Sequence, residues 1–142
     1  MTFVKEIFDT NNLSSLEIEI SASKISAGFP SPADDFIERK LDLNDYLINH
    51  PASSFLVRVG GDSMINAGIL ENDILIVDKS LQAIHSKIVI AIIDNDLTVK
   101  RLYKKNGKIM LIPENENYLP ITFENEQQLQ IWGVVTGMVR KF

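Results

Sequence analysis

From Ser54 onward the chain is broken into short apolar runs, and this punctuation narrows the fold more than any other feature. "SFLVRV", "DILIVD", "SKIVIAIID" and "LTVKRLYKKNGKIMLIP" follow one another with polar turns between them. Apolar runs of about four to eight residues, bounded by Asn, Asp and Gly, read as strands rather than helices. Asn106-Gly107 sits inside the last run and favours a type I′ hairpin turn, because both residues tolerate positive φ. Asp94-Asn95-Asp96 has a similar turn-forming character. The closing segment "QIWGVVTGMVRKF" reads as one more strand, interrupted by glycines. Short strands at this spacing predict a mostly β, barrel-like or sandwich domain over residues 51–142.

Residues 1–50 have a different texture. "FPSPADDFIERKLDLNDYLINHP" holds three prolines and many acids, and the sequence predicts an extended, flexible N-terminal arm over 1–50. Within it, Ser31 as N-cap, Pro32 at the first helical position and Asp34-Asp35 in the first turn suggest a short helix over Pro32–Lys40. "LDLNDYLINHP" suggests a second short helix or turn that stops before Pro51. "SSLEIEISAS" looks extended.

Composition excludes several functions. The 142 residues carry 19 acidic and 14 basic side chains, a net charge of −5. Phosphate-contacting DNA binders show the opposite balance, so direct sequence-specific DNA binding is not expected. The absence of cysteine removes a thiol nucleophile, disulfides and cysteine metal sites together. No metal and no cofactor are expected. No apolar run approaches a membrane span. "MTFVKEIFDT" places charges within its apolar part and lacks a signal-type core. The expectation is a cytoplasmic protein.

The residues that bear chemistry gather around "GGDSM", residues 60–64. Glycines allow a sharp turn and a close backbone approach. A serine after such a turn can project its hydroxyl toward a carbonyl while backbone N–H groups face the developing oxyanion. The bland alternative is a strand-to-helix turn with Asp62 or Ser63 as N-cap. A nucleophilic Ser63 needs a base, and His50 and His85 both read as surface residues. Lysine can serve only when burial lowers its pKa. Alternation from the Asn106-Gly107 turn puts Thr98, Lys100 and Leu102 on one face of a strand, with Val99, Arg101 and Tyr103 on the other. Lys100 is therefore a candidate base beside an apolar neighbour, or else an exposed strand lysine. Spacing alone leaves both open.

The segments "GDSM…GI…NDILIVD" and "LTVKRLYKKNGKIMLIPENENYLPI" together resemble the LexA-like self-cleaving serine peptidases, and within them the UmuD-like branch. The resemblance runs from about Ala27 to the C-terminus. It implies that Ser63 is the nucleophile and Lys100 the general base. It further implies that the chain cuts its own Ala27-Gly28 bond within "ISAGFPSPADDF". The arm is then a tethered substrate, docked partly by strand-like pairing, and tethering supplies effective concentration. Backbone N–H groups of Ser63 and Asp62 would hold the oxyanion. The resemblance also implies partners: a RecA–single-stranded DNA filament that promotes cutting, a second copy in a homodimer, and an error-prone DNA polymerase of the UmuC type in translesion synthesis during the SOS response.

Three rival readings remain. A LexA-type repressor requires a DNA-binding domain before the cleavage site, and the 27 residues ahead of Gly28 lack a basic helical pair. A signal peptidase shares the Ser-Lys pairing but requires a membrane anchor. A non-catalytic β interaction module could retain the fold without activity.

Overall fold

A computed structural model describes residues 1–10, 17–21 and 37–142. The chain forms two compact units, Met1–Asn11 with His50–Phe142, and Asn12–Asn49. Among the described residues, strands dominate, as the sequence predicts.

In the smaller unit, β2 (Glu17–Ser21) pairs antiparallel with β3 (Ile37–Asp42), Ile18 facing Leu41 and Glu19 facing Lys40. The period-two pattern Glu17-Ile18-Glu19-Ile20 is that of a strand, and a strand needs a partner for its backbone groups. Ile37–Lys40 supply that partner, so this part of the expected Pro32–Lys40 helix is strand instead. The rest of that expected helix lies outside the described residues. The second expected helix is present as α1 (Leu43–Leu47), capped by the Asp42 carboxylate, which accepts from the N–H of Asn44 at 2.9 Å.

The larger unit is built on an eight-stranded antiparallel sheet ordered β1-β4-β5-β10-β6-β7-β8-β9. Its strands are β1 (Phe3–Asp9), β4 (Ser54–Gly60), β5 (Ile74–Asp78), β6 (Ile88–Ile93), β7 (Asp96–Lys105), β8 (Lys108–Ile112), β9 (Ile121–Phe123) and β10 (Ile131–Val139). Pairing of Phe3 in β1 with Thr98 in β7 closes six of them into a barrel. Val57, Val59, Leu75, Val77, Ile90 and Val99 pack together as its interior. A second cluster packs Val89 and Ala91 of β6 with Leu102 of β7, Leu111 of β8 and Val134 of β10.

The turns follow from local chemistry. Asp94 and Asn95 (φ 50° and 67°) join β6 to β7, and Asn106 and Gly107 (φ 54° and 74°) join β7 to β8. Two successive positive φ values are the type I′ signature. The register of β10 shifts between Ile131 and Gly133 and again between Val135 and Gly137. At Gly133 a Cβ would stand 2.5 Å from Val77 Cγ1, so the barrel wall requires glycine there.

The placement of β1 departs from the expected arm of residues 1–50. It pairs antiparallel along β4, from Phe3 opposite Gly60 to Asp9 opposite Phe55, with a bulge between Val4 and Glu6. Thr10 continues the attachment, its hydroxyl donating to the carbonyl oxygens of Pro51 (2.6 Å) and Ser54 (3.1 Å). The reason is backbone chemistry: open edges of β4 and β7 present unpaired N–H and C=O groups, and the N-terminal strand satisfies them.

Candidate active site

β4 ends at Gly60, and Gly61 turns the chain with φ 91°. A Cβ at Gly61 would lie 2.0 Å from the Met1 carbonyl oxygen, so glycine is needed both for the turn and for the neighbouring backbone. The turn delivers Ser63 into the interior, where it is fully buried. A short 3₁₀ helix, Ile65–Ala67, follows, with Met64 as its N-cap and no side-chain cap. The capping alternative for Asp62 and Ser63 is thus not what the loop adopts.

Lys100 comes from the middle of β7, opposite Val89 of β6. It shares the face of Leu102, as alternation predicts, and is 1% exposed. Its Nζ lies 3.2 Å from Ser63 Oγ. Burial pushes its pKa below the ordinary lysine value. A neutral amine at this distance can accept the hydroxyl proton, and an ammonium can return one. The two groups thus have the geometry of a nucleophile and its base.

The surrounding loops hold the serine turn in place. Asn115 Nδ2 donates to the Asp62 carbonyl at 2.9 Å, as does the Ile65 N–H at 3.2 Å. The Tyr118 hydroxyl donates to the Asp62 carboxylate, and this bond, with burial, raises the Tyr118 pKa. The Tyr118 ring centroid lies 5.9 Å from Lys100 Nζ. The Asn66 N–H donates to the Glu114 carbonyl at 2.8 Å, while the Glu114 carboxylate pairs with Arg101 of β7. The segment Glu114–Tyr118 therefore ties the serine turn to the lysine strand.

The two histidines have other partners. His50 Nδ1 lies 2.6 Å from Asp78 Oδ2, and His85 Nδ1 accepts the Lys104 N–H at 3.1 Å. Of the residues predicted from sequence, Ser63, Asp62 and Lys100 come together. Ala27 and Gly28 lie outside the described residues. Sequence reasoning missed Asn115 and Tyr118, whose signal was the polar, turn-rich "PENENY" after β8. It also missed Thr2. The Thr2 N–H donates to Ser63 Oγ at 2.6 Å, its carbonyl accepts from Val99 N–H at 3.0 Å, and its hydroxyl accepts from Met64 N–H at 3.2 Å.

Comparison with known proteins places the chain among relatives. The Peptidase S24-like family matches residues 19–136. Protein MucA of Salmonella typhimurium is 39% identical over 134 residues, covering 92% of this chain and 90% of its own. Protein SamA of Salmonella typhimurium strain LT2 is 48% identical over 115 residues, covering 81% and 79%. The LexA repressor of Shewanella sp. strain ANA-3 is 42% identical over 118 residues, which is 82% of this chain and 57% of the repressor. The chain belongs to the S24-like family of serine peptidases, in its LexA-like and UmuD-like group.

Proposed function

We propose that the chain is a self-cleaving serine peptidase that cuts its own Ala27-Gly28 bond, with Ser63 as nucleophile and Lys100 as general base. The observation that carries this reading is the buried Lys100 amine 3.2 Å from the buried Ser63 hydroxyl. Neutral Lys100 takes the hydroxyl proton as Oγ attacks the Ala27 carbonyl carbon. Backbone N–H groups of Asp62 and Ser63 receive the oxyanion. The lysine ammonium then protonates the departing Gly28 amine, leaving Ala27 esterified to Ser63. Water, activated by the neutral amine again, hydrolyses that ester and restores the serine.

The relatives and the UmuD-like resemblance support a place in the SOS response. On this reading a RecA–single-stranded DNA filament promotes the cut in the cytoplasm. The trimmed homodimer then serves a UmuC-type error-prone polymerase in translesion synthesis. The test is mass measurement after incubation at alkaline pH, with wild type beside Ser63→Ala. The wild type is expected to yield a fragment beginning at Gly28, and the variant none. Equal accumulation in both would overturn the assignment.

A further inference from the structure

We propose that the groove between β4 and β7 is the seat of the scissile segment and that residues 1–9 of the same chain occupy it as an unproductive stand-in. β1 must therefore be withdrawn before Ser63 can act. This inference rests on the self-cleavage reading and adds its regulation.

The first support is the position of Thr2. The Met1-Thr2 peptide group lies beside the Ser63 hydroxyl, with the Thr2 N–H donating to Oγ at 2.6 Å. Such a bond lies near the peptide plane and uses an oxygen lone pair. Attack on a carbonyl carbon needs that lone pair directed onto the face of the plane instead. The contact is thus substrate-like in place and unproductive in orientation.

The second support is the mode of attachment. β1 lies antiparallel along β4, and Val99 of β7 donates to the Thr2 carbonyl. This is how an extended peptide adds to two sheet edges, with affinity from main-chain bonds. The third support is how little β1 buries. Phe3, Ile7 and Phe8 are all exposed, and Val4 alone of its side chains is half-buried. A strand held by backbone pairing and little apolar contact is drawn from the low-stability end of a fold. A surface clasp adds to it, Lys5 Nζ donating to Glu71 (2.9 Å) and Asn72 (3.0 Å).

The sequence offers a matching register. Ala27-Gly28-Phe29 laid over Met1-Thr2-Phe3 puts the Gly28 nitrogen where Thr2 now meets Ser63, and Phe29 where Phe3 stands. Gly61, which has no Cβ, leaves room for either backbone.

The chain has no cysteine, so an introduced pair can lock β1 cleanly. Glu6 and Arg58 face each other across β1 and β4, a spacing suited to a disulfide. The experiment uses full-length Glu6→Cys/Arg58→Cys protein, oxidised and reduced. In a Ser63→Ala background, a labelled peptide spanning residues 23–31 is expected to bind the reduced form at least about ten-fold more tightly than the oxidised form. Equal binding to both forms, or binding to neither, overturns the proposal. With Ser63 present, oxidation is expected to slow release of the Gly28 fragment at least about ten-fold, and reduction to restore it. A locked form that cuts as fast as the reduced one also overturns the proposal. A reduced form that captures the peptide yet never cuts removes the role of Ser63 and leaves the occupancy of the groove standing. In the unlocked chain, Lys5→Ala is expected to speed cutting about two- to five-fold by loosening the clasp.

Discussion

Tyr118 donates its hydroxyl to the Asp62 carboxylate at 2.5 Å, although the two are 56 positions apart. The same ring lies over the Lys100 amine. One side chain thus braces the turn that carries Ser63 and covers the lysine beside it.

Two substitutions separate those roles. Tyr118→Phe keeps the ring and releases Asp62, so it is expected to slow self-cleavage about three- to ten-fold without moving its pH profile. Tyr118→Ala also admits water to Lys100. Burial is what depresses that lysine, so the profile is expected to shift to higher pH in the alanine variant alone. Rates of Gly28-fragment release from pH 6 to 10 measure both effects. A shift of equal size in Tyr118→Phe would contradict the division of roles.

With Lys100 as the proposed base, one proton links activity to stability. In the unfolded chain its pKa is about 10.4, and in the folded chain burial lowers it. Between those two values the unfolded state binds more protons, so stability rises with pH across that window. Below the folded value the full cost of burying the ammonium is present. Lys100→Met, of similar length and without charge, is expected to be more stable than wild type at pH 7. That advantage should shrink as pH approaches 10. Urea midpoints at pH 7, 8.5 and 10 test this. Cleavage itself is expected to rise with pH as a single titration in wild type and to be absent in Lys100→Met and Lys100→Arg, since guanidinium stays protonated.

Asp78 behaves in the opposite sense. Burial pushes its carboxyl up, but hydrogen bonds from Ser80, His50 and Ser53 outweigh this and hold it at about 2. Its carboxylate closes the end of β5, where Asp78 pairs with Ser54 of β4 and Val134 of β10. Folded pKa below unfolded means that the stabilisation is present above about pH 4 and lost as pH falls toward 2. The amount is about 2 kcal/mol. Asp78→Asn is expected to lose most of it at neutral pH and to show a flatter stability profile between pH 5 and 2. An unchanged profile in the variant would mean that Asp78 does not carry this linkage.

The strands of the barrel were legible because their side chains alternate or run apolar between turn residues. Val57, Val59, Leu75 and Val77 announce their own burial, and Asn106-Gly107 announces its turn. Lys100 was legible as a candidate through its shared face with Leu102. β1 was not legible, because its apolar residues Phe3, Ile7 and Phe8 are exposed and its attachment is through backbone, which carries no side-chain signal. β3 was misread over Ile37–Lys40 because local capping signals favoured a helix, whereas pairing with Glu17–Ser21 decided the outcome. Tyr118 and Thr2 reach the site through tertiary contacts, 56 and 61 positions from their partners.

A chain beginning at Gly28 tests how far the body depends on β1. The sequence places residues 51–142 as a self-sufficient β domain, whereas the structure closes the barrel with residues 3–9. The interior residues Val57, Val59, Leu75, Val77, Ile90 and Val99 are all retained in the shorter chain. It is therefore expected to remain β-rich and cooperative, with a Tm lowered on the order of 10 °C. Removing β1 also strips the Thr2 backbone from Ser63 and opens the Lys100 side of the groove to water. With Ser63→Ala in both, the Lys100 pKa is expected to stand higher in the trimmed chain than in the full-length one, as read by NMR titration of the side-chain amine. A trimmed chain that is molten would show that β1 is an obligatory barrel strand. A trimmed chain whose lysine titrates as in the full-length protein would show that β1 does not shield the amine.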